Sequence, residues 1–80
     1  MLKGGKARTK EEATMERLQE IISGYGFGIS KKKLIEKAYR ILEAEGHDTY
    51  ILNDLYIGID GAEYQIIKSR KEDRWIAKAL

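Results

Sequence analysis

Leu55-Tyr56-Ile57-Gly58-Ile59-Asp60-Gly61-Ala62-Glu63-Tyr64-Gln65-Ile66 is the stretch that decides the fold. Leu55, Ile57 and Ile59 alternate with Tyr56, Gly58 and Asp60; beyond the break, Tyr64, Ile66 and Lys68 alternate with Gln65, Ile67 and Ser69. A period of two is the signature of a strand with one buried face. Asp60-Gly61 between the two runs suits a two-residue hairpin, because a type I′ turn needs positive φ at both central positions. The stretch therefore predicts an antiparallel hairpin with Asp60-Gly61 at its tip.

Upstream, Tyr50 and Leu52 alternate with Ile51, which adds a strand before the hairpin. Asn53-Asp54 is either a tight turn between two strands or a bulge within one. Downstream, the polar run from Ser69 to Asp73 makes a looser turn. Arg74-Trp75-Ile76-Ala77-Lys78-Ala79-Leu80 then reads as a last strand by hairpin spacing, with a short C-terminal helix as the alternative, since Ala, Lys and Leu favour helix.

Before Gly46 the period is helical. Met15, Leu18, Ile21, Ile22 and Tyr25 share one face of a first helix, expected from about residue 10 to 23, with Glu12, Glu16 and Glu20 opposite. Thr9 with Glu12 matches a capping box at its start, and Gly24 is a natural C′ residue at its end. Ser30 is the expected N-cap of a second helix whose apolar face is Leu34, Ile35, Ala38, Ile41 and Leu42, and Gly46 should end it. The expected fold class is α+β: two N-terminal helices packed on one face of a three- or four-stranded antiparallel meander. Residues 1–8, rich in glycine and positive charge, are expected to be a flexible basic arm, and residues 9–80 a single domain. The expected core includes Leu18, Ile22, Leu34, Ala38, Ile41 and Ile57. Trp75 is expected inside, and Tyr56, opposite the apolar row, outside.

Eighty residues allow one small domain whose core leaves little room for a deep pocket. The chain has no cysteine, which excludes disulfides, thiolate metal sites and cysteine nucleophiles, and suits a reducing, cytoplasmic setting. No apolar run is long enough to span a membrane. His47 is the single histidine, so no histidine pair can hold a metal. Asp54, Tyr56, Gly58 and Asp60 break the ligand pattern of a calcium loop. Ser23, Ser30 and Ser69 lack the context of a nucleophile elbow. A binding role without metal, cofactor or catalysis is therefore the expectation.

Charge is distributed in blocks. Residues 1–40 carry +5, residues 41–67 carry −6 with no Lys or Arg, and residues 68–80 carry +3. Within the first block, Lys31, Lys32 and Lys33 follow the glycine-aromatic stretch Gly24-Tyr25-Gly26-Phe27-Gly28-Ile29 and fall in the first turn of the second helix. Cations there oppose the helix dipole at a cost on the order of 0.3–1 kcal/mol each, unless an anion sits among them. Lys33, Lys37 and Arg40 line one exposed helix face at a spacing that suits a phosphate backbone, and Tyr25 can stack on a base. Arg70 and Lys71 lie at the tip of the last hairpin, where a basic tip can enter a groove. These eight residues (Lys31, Lys32, Lys33, Lys37, Arg40, Tyr25, Arg70 and Lys71) form the expected contact set for DNA or RNA. The bland alternative is a solvated charged surface, with Tyr25 and Phe27 in the core. A protein partner is the second expectation. It would use the acidic block 41–67, or an edge strand that lets the chain form a homodimer through residues 75–80, where Lys78 opposes such pairing.

Overall fold

A computed structural model of the chain describes residues 10–80. The basic arm 1–8 and the cap expected at Thr9 lie outside the described residues. Two helices, α1 (Lys10–Ser23) and α2 (Lys31–Ala44), precede four strands, β1 (Thr49–Leu52), β2 (Tyr56–Ile59), β3 (Ala62–Ser69) and β4 (Arg74–Ala79). The strands form one antiparallel sheet in the order β1-β2-β3-β4. The C-terminal segment is thus a strand, registered on β3 from Tyr64↔Ala79 to Ser69↔Arg74.

The core is a single cluster with the helices on one sheet face. Leu18, Ile21 and Ile22 of α1 and Leu34, Ile35, Ala38 and Leu42 of α2 meet Ile57, Ile59, Tyr64, Ile66, Trp75 and Ala77 of the sheet. Ile41 is only half-buried, while Leu42 is fully buried. The line Leu34–Ala38–Leu42, at i, i+4 and i+8, sits over the sheet and turns Ile41 to the margin.

The helix ends differ from each other. At the end of α2, the Gly46 N–H donates to Glu43 O (3.0 Å) and the His47 N–H to Leu42 O (3.0 Å), with Gly46 at φ 95°. That is the paired bonding of a Schellman cap, as expected for Gly46. α1 also stops before its glycine, but Gly24 is not left-handed. The Gly24 N–H donates to Ile21 O (3.2 Å) and the Tyr25 N–H to Ile22 O (3.1 Å), so i→i+3 bonds tighten the last turn instead.

Asp60 and Gly61 both have positive φ (52° and 92°), as the hairpin reading requires. Asn53 (φ 53°) and Asp54 (φ 58°) likewise form a tight turn, closed by the Leu55 N–H on Leu52 O at 2.9 Å, and not a bulge. Leu55 at this corner is 47% exposed and leaves the buried row. Asp73 (φ 57°) is the left-handed residue of the β3–β4 turn. The non-glycine left-handed positions in these turns are all Asn or Asp, whose short polar side chains tolerate that conformation.

Two side chains finish the sheet. Gln19 of α1 covers the outer edge of β4: its Nε2 donates to Trp75 O at 2.9 Å and its Oε1 accepts the Ala77 N–H at 2.8 Å. The amide thus fills the place of a neighbouring strand on the edge that a homodimer through β4 would need. On the face away from the helices, Tyr50 of β1 lies over Gly58 of β2, its registered partner. A Cβ on Gly58 would fall 2.1 Å from Tyr50 Cζ and 2.4 Å from both Cε atoms. Near-equal distances to the two Cε atoms mean that the ring meets Gly58 with its face, a contact that only glycine permits.

Two outcomes follow for stability. Gly58→Ala should cost about 1–3 kcal/mol, the usual range for overpacking, but much less in a Tyr50→Ala background, so a denaturation double-mutant cycle should show coupling. Gln19→Ala should cost about 1–3 kcal/mol, because the Ala77 N–H and Trp75 carbonyl lose their partner. It should also raise self-association in sedimentation, because the β4 edge is uncovered.

Candidate nucleic-acid interface

The site is built from the start of α2. Ser30 has extended backbone (φ −74°, ψ 156°), and its Oγ accepts the Lys33 N–H at 3.2 Å. This cap places Lys31, Lys32 and Lys33 in the first turn, which contains no acidic residue. Lys32 and Lys33 are exposed and Lys31 is half-buried.

The preceding loop is held by Trp75, which is 2% exposed at the start of β4. Its Nε1–H donates to Gly26 O at 3.0 Å, and Phe27 meets its ring edge-on, with centroids 5.7 Å apart and planes at 88°. Lys68 of β3, in register with Trp75, places its Nζ 5.0 Å from the Phe27 centroid and 5.4 Å from that of Trp75. The Trp75–Gly26 bond and the Phe27–Trp75 contact join the β3–β4 hairpin to the α1–α2 loop, and the exposed Lys68 adds a weak cation–π contact to both rings. The hairpin turn is itself ordered: Ser69 Oγ accepts the Glu72 N–H at 3.1 Å, and Arg74 pairs with Glu72 at 2.7 Å.

The consequence is a basic end. Lys31, Lys32 and Lys33 come from α2, and Lys68, Arg70 and Lys71 from the hairpin, with Arg70 and Lys71 exposed at the tip. Tyr25 is half-buried and packs against the core. Lys37, one turn beyond Lys33 and about 6 Å along the helix axis, and Arg40 lie outside the first turn. They lie on the solvent side of α2, and Arg40 is nine residues beyond Lys31, about 13 Å along the helix axis. Lys68 was missed by the sequence reading. Its signal was its place in the inward row near the end of β3, although the side chain is exposed.

The other end is acidic. Asp60 at the β2–β3 turn accepts the Asp48 N–H at 2.9 Å and contacts His47 Nδ1 at 2.7 Å. The His47 contact, then the Asp48 N–H, hold the Asp60 carboxyl below its usual range. Glu45 is likewise held low by hydrogen bonding to Arg17 of α1. An open groove of about 590 Å³ lies here, with Met15, Tyr64, Leu80, Glu11, Glu12 and Glu63 among its lining residues. Of these acids only Glu63 belongs to the block 41–67. Among the described residues no group of three His, Cys, Asp or Glu could hold a metal ion, and no helix is long and apolar enough to cross a membrane.

The lowered Asp60 value sets a direction for acid sensitivity. A carboxyl with a depressed folded value contributes fully above its unfolded value, near 3.8, and loses that contribution as pH falls through the lower folded value. The stability gap between wild type and Asp60→Asn, which keeps a residue tolerant of positive φ, should therefore be widest near neutral pH and close on acidification. Urea titrations at neutral pH and at about pH 2 measure the closure.

No family model matches this chain, and neither a curated protein nor a solved structure does.

Proposed function

We propose that this protein binds nucleic acid, without catalysis, through phosphate contacts at its basic end. The observation that carries the reading is the Lys68–Phe27–Trp75 contact, which joins the hairpin to the loop that starts α2. Lysines from a helix N-terminus and cations from a hairpin tip, separated by more than 30 residues of sequence, thereby share one end of the fold. Free N–H groups and the positive dipole of α2 add to the same field. Lys31, Lys32, Lys33, Arg70 and Lys71 would meet phosphates, with Lys37 and Arg40 extending the track along α2.

A protein-interaction role is the second reading, and the acidic groove favours it. A lining that mixes Met15, Tyr64 and Leu80 with Glu11, Glu12 and Glu63 suits a basic, partly apolar segment of another protein.

Replacing Lys31, Lys32 and Lys33 with alanine tests the first reading. Stability should rise slightly, since cations leave the positive helix end. Affinity for mixed oligonucleotides should fall, and the slope of log K against log salt should flatten by up to about 3. Solvated lysines without a ligand predict the stability change alone. Absence of wild-type binding to DNA and RNA at low salt, measured by fluorescence anisotropy, would refute the reading.

A further inference from the structure

We infer that the sheet face opposite the helices is a base-stacking surface, so that the nucleic acid bound is single-stranded; this rests on the phosphate-binding reading above. Register places Tyr50, Tyr56, Glu63, Ile67, Ile76 and Lys78 on this face. Among the described residues neither helix covers it, because α1 and α2 both occupy the other side. Leu52, Tyr56, Gln65 and Lys78 form one row across all four strands.

Two tyrosines make the surface suitable for flat ligands. Tyr50 lies face-down on Gly58, so its second face points away from the sheet, and its hydroxyl donates to Glu63 Oε2 at 3.3 Å. A ring already held flat loses little freedom when a base stacks on it. Tyr56 is two residues from Gly58 on the same face of β2, a diagonal neighbour of Tyr50 at about 7 Å. Ile67 and Ile76, paired across β3 and β4, continue the apolar surface towards the hairpin.

Charge then selects the occupant. Lys78 borders the row beside Gln65, and the β3–β4 strands lead from it to Arg74, Arg70 and Lys71 at the basic end. Glu63 lies beside Tyr50, and Glu72 pairs with Arg74. Phosphates are therefore directed along Lys78 and the hairpin tip, with bases turned inward over Tyr56 and Tyr50. A duplex hides its base faces and offers these rings nothing, whereas every unpaired base has a face that can stack.

The test uses the full chain with three probes: a mixed-sequence single strand of DNA or RNA, its duplex, and inorganic polyphosphate of similar charge. The single strand should bind at least about 10-fold more tightly than either other probe, given the usual strength of base–aromatic stacking. Tyr56→Ala should weaken single-strand binding by about 5- to 100-fold while leaving polyphosphate affinity and the salt slope unchanged, and Tyr56→Phe should retain wild-type binding. The three-probe comparison on wild type needs no substitution, so an unfolded variant would not shield the inference. Equal affinity for all three probes, or a folded Tyr56→Ala that binds single strands normally, overturns it and leaves the phosphate reading standing. Failure of all three probes to bind removes the phosphate reading as well, and the open face would then be tested against protein partners.

Discussion

Trp75 is the residue on which the arrangement depends. Its indole N–H holds the α1–α2 loop through Gly26, its ring receives Phe27 and Lys68, and its carbonyl is held by Gln19 of α1. Helix, loop and terminal hairpin are joined at one buried side chain. A polar N–H inside a core costs free energy unless it is paired, and here the partner is a loop carbonyl that also needs one. One bond satisfies both groups and holds the α1–α2 loop to β4.

The position of α2 gives the molecule its electrical character. Its lysines lie at the positive helix end, and Glu43 and Glu45 lie at the negative end, so side chains and backbone dipole reinforce one another at both poles. For the isolated helix this is unfavourable. Arg17 offsets part of it at the C-terminal end by reaching Glu45 from α1. At the lysine end, Ser30 caps a first turn that holds no acidic residue.

The sheet divides the remaining work between its faces. One face is sealed against the helices by aliphatic side chains and Trp75. The other keeps a layer of half-buried rings and aliphatics, with Tyr50 resting on Gly58. Gln19 covers the β4 edge, while the edge of β1 is only four residues long, and short or covered edges both discourage pairing with other chains. Thr49 Oγ1, at the start of β1, is buried and lacks a partner among the described residues, a local cost the strand tolerates.

Periodicity and backbone chemistry were local and therefore legible in the amino-acid order. The switch of period at Gly46, the Ser30 cap, the Gly46 stop and the Asp60-Gly61 turn each depend on neighbours a few residues away. So did the outward side of Tyr56, which follows from alternation, whereas the burial of Trp75 was expected because it is the one tryptophan of a small domain. Residues 74–80 were ambiguous because their own propensities barely separate strand from helix; pairing with β3 decided it. Ile41 and Leu42 are adjacent on one apolar face, and only the seating of α2 on the sheet chose between them. The gathering of Lys68, Arg70 and Lys71 with Lys31 to Lys33, the docking of Gln19 on β4 and the flattening of Tyr50 on Gly58 were invisible in the sequence. Each joins residues distant along the chain through a contact whose geometry exists only once the helices and sheet are packed.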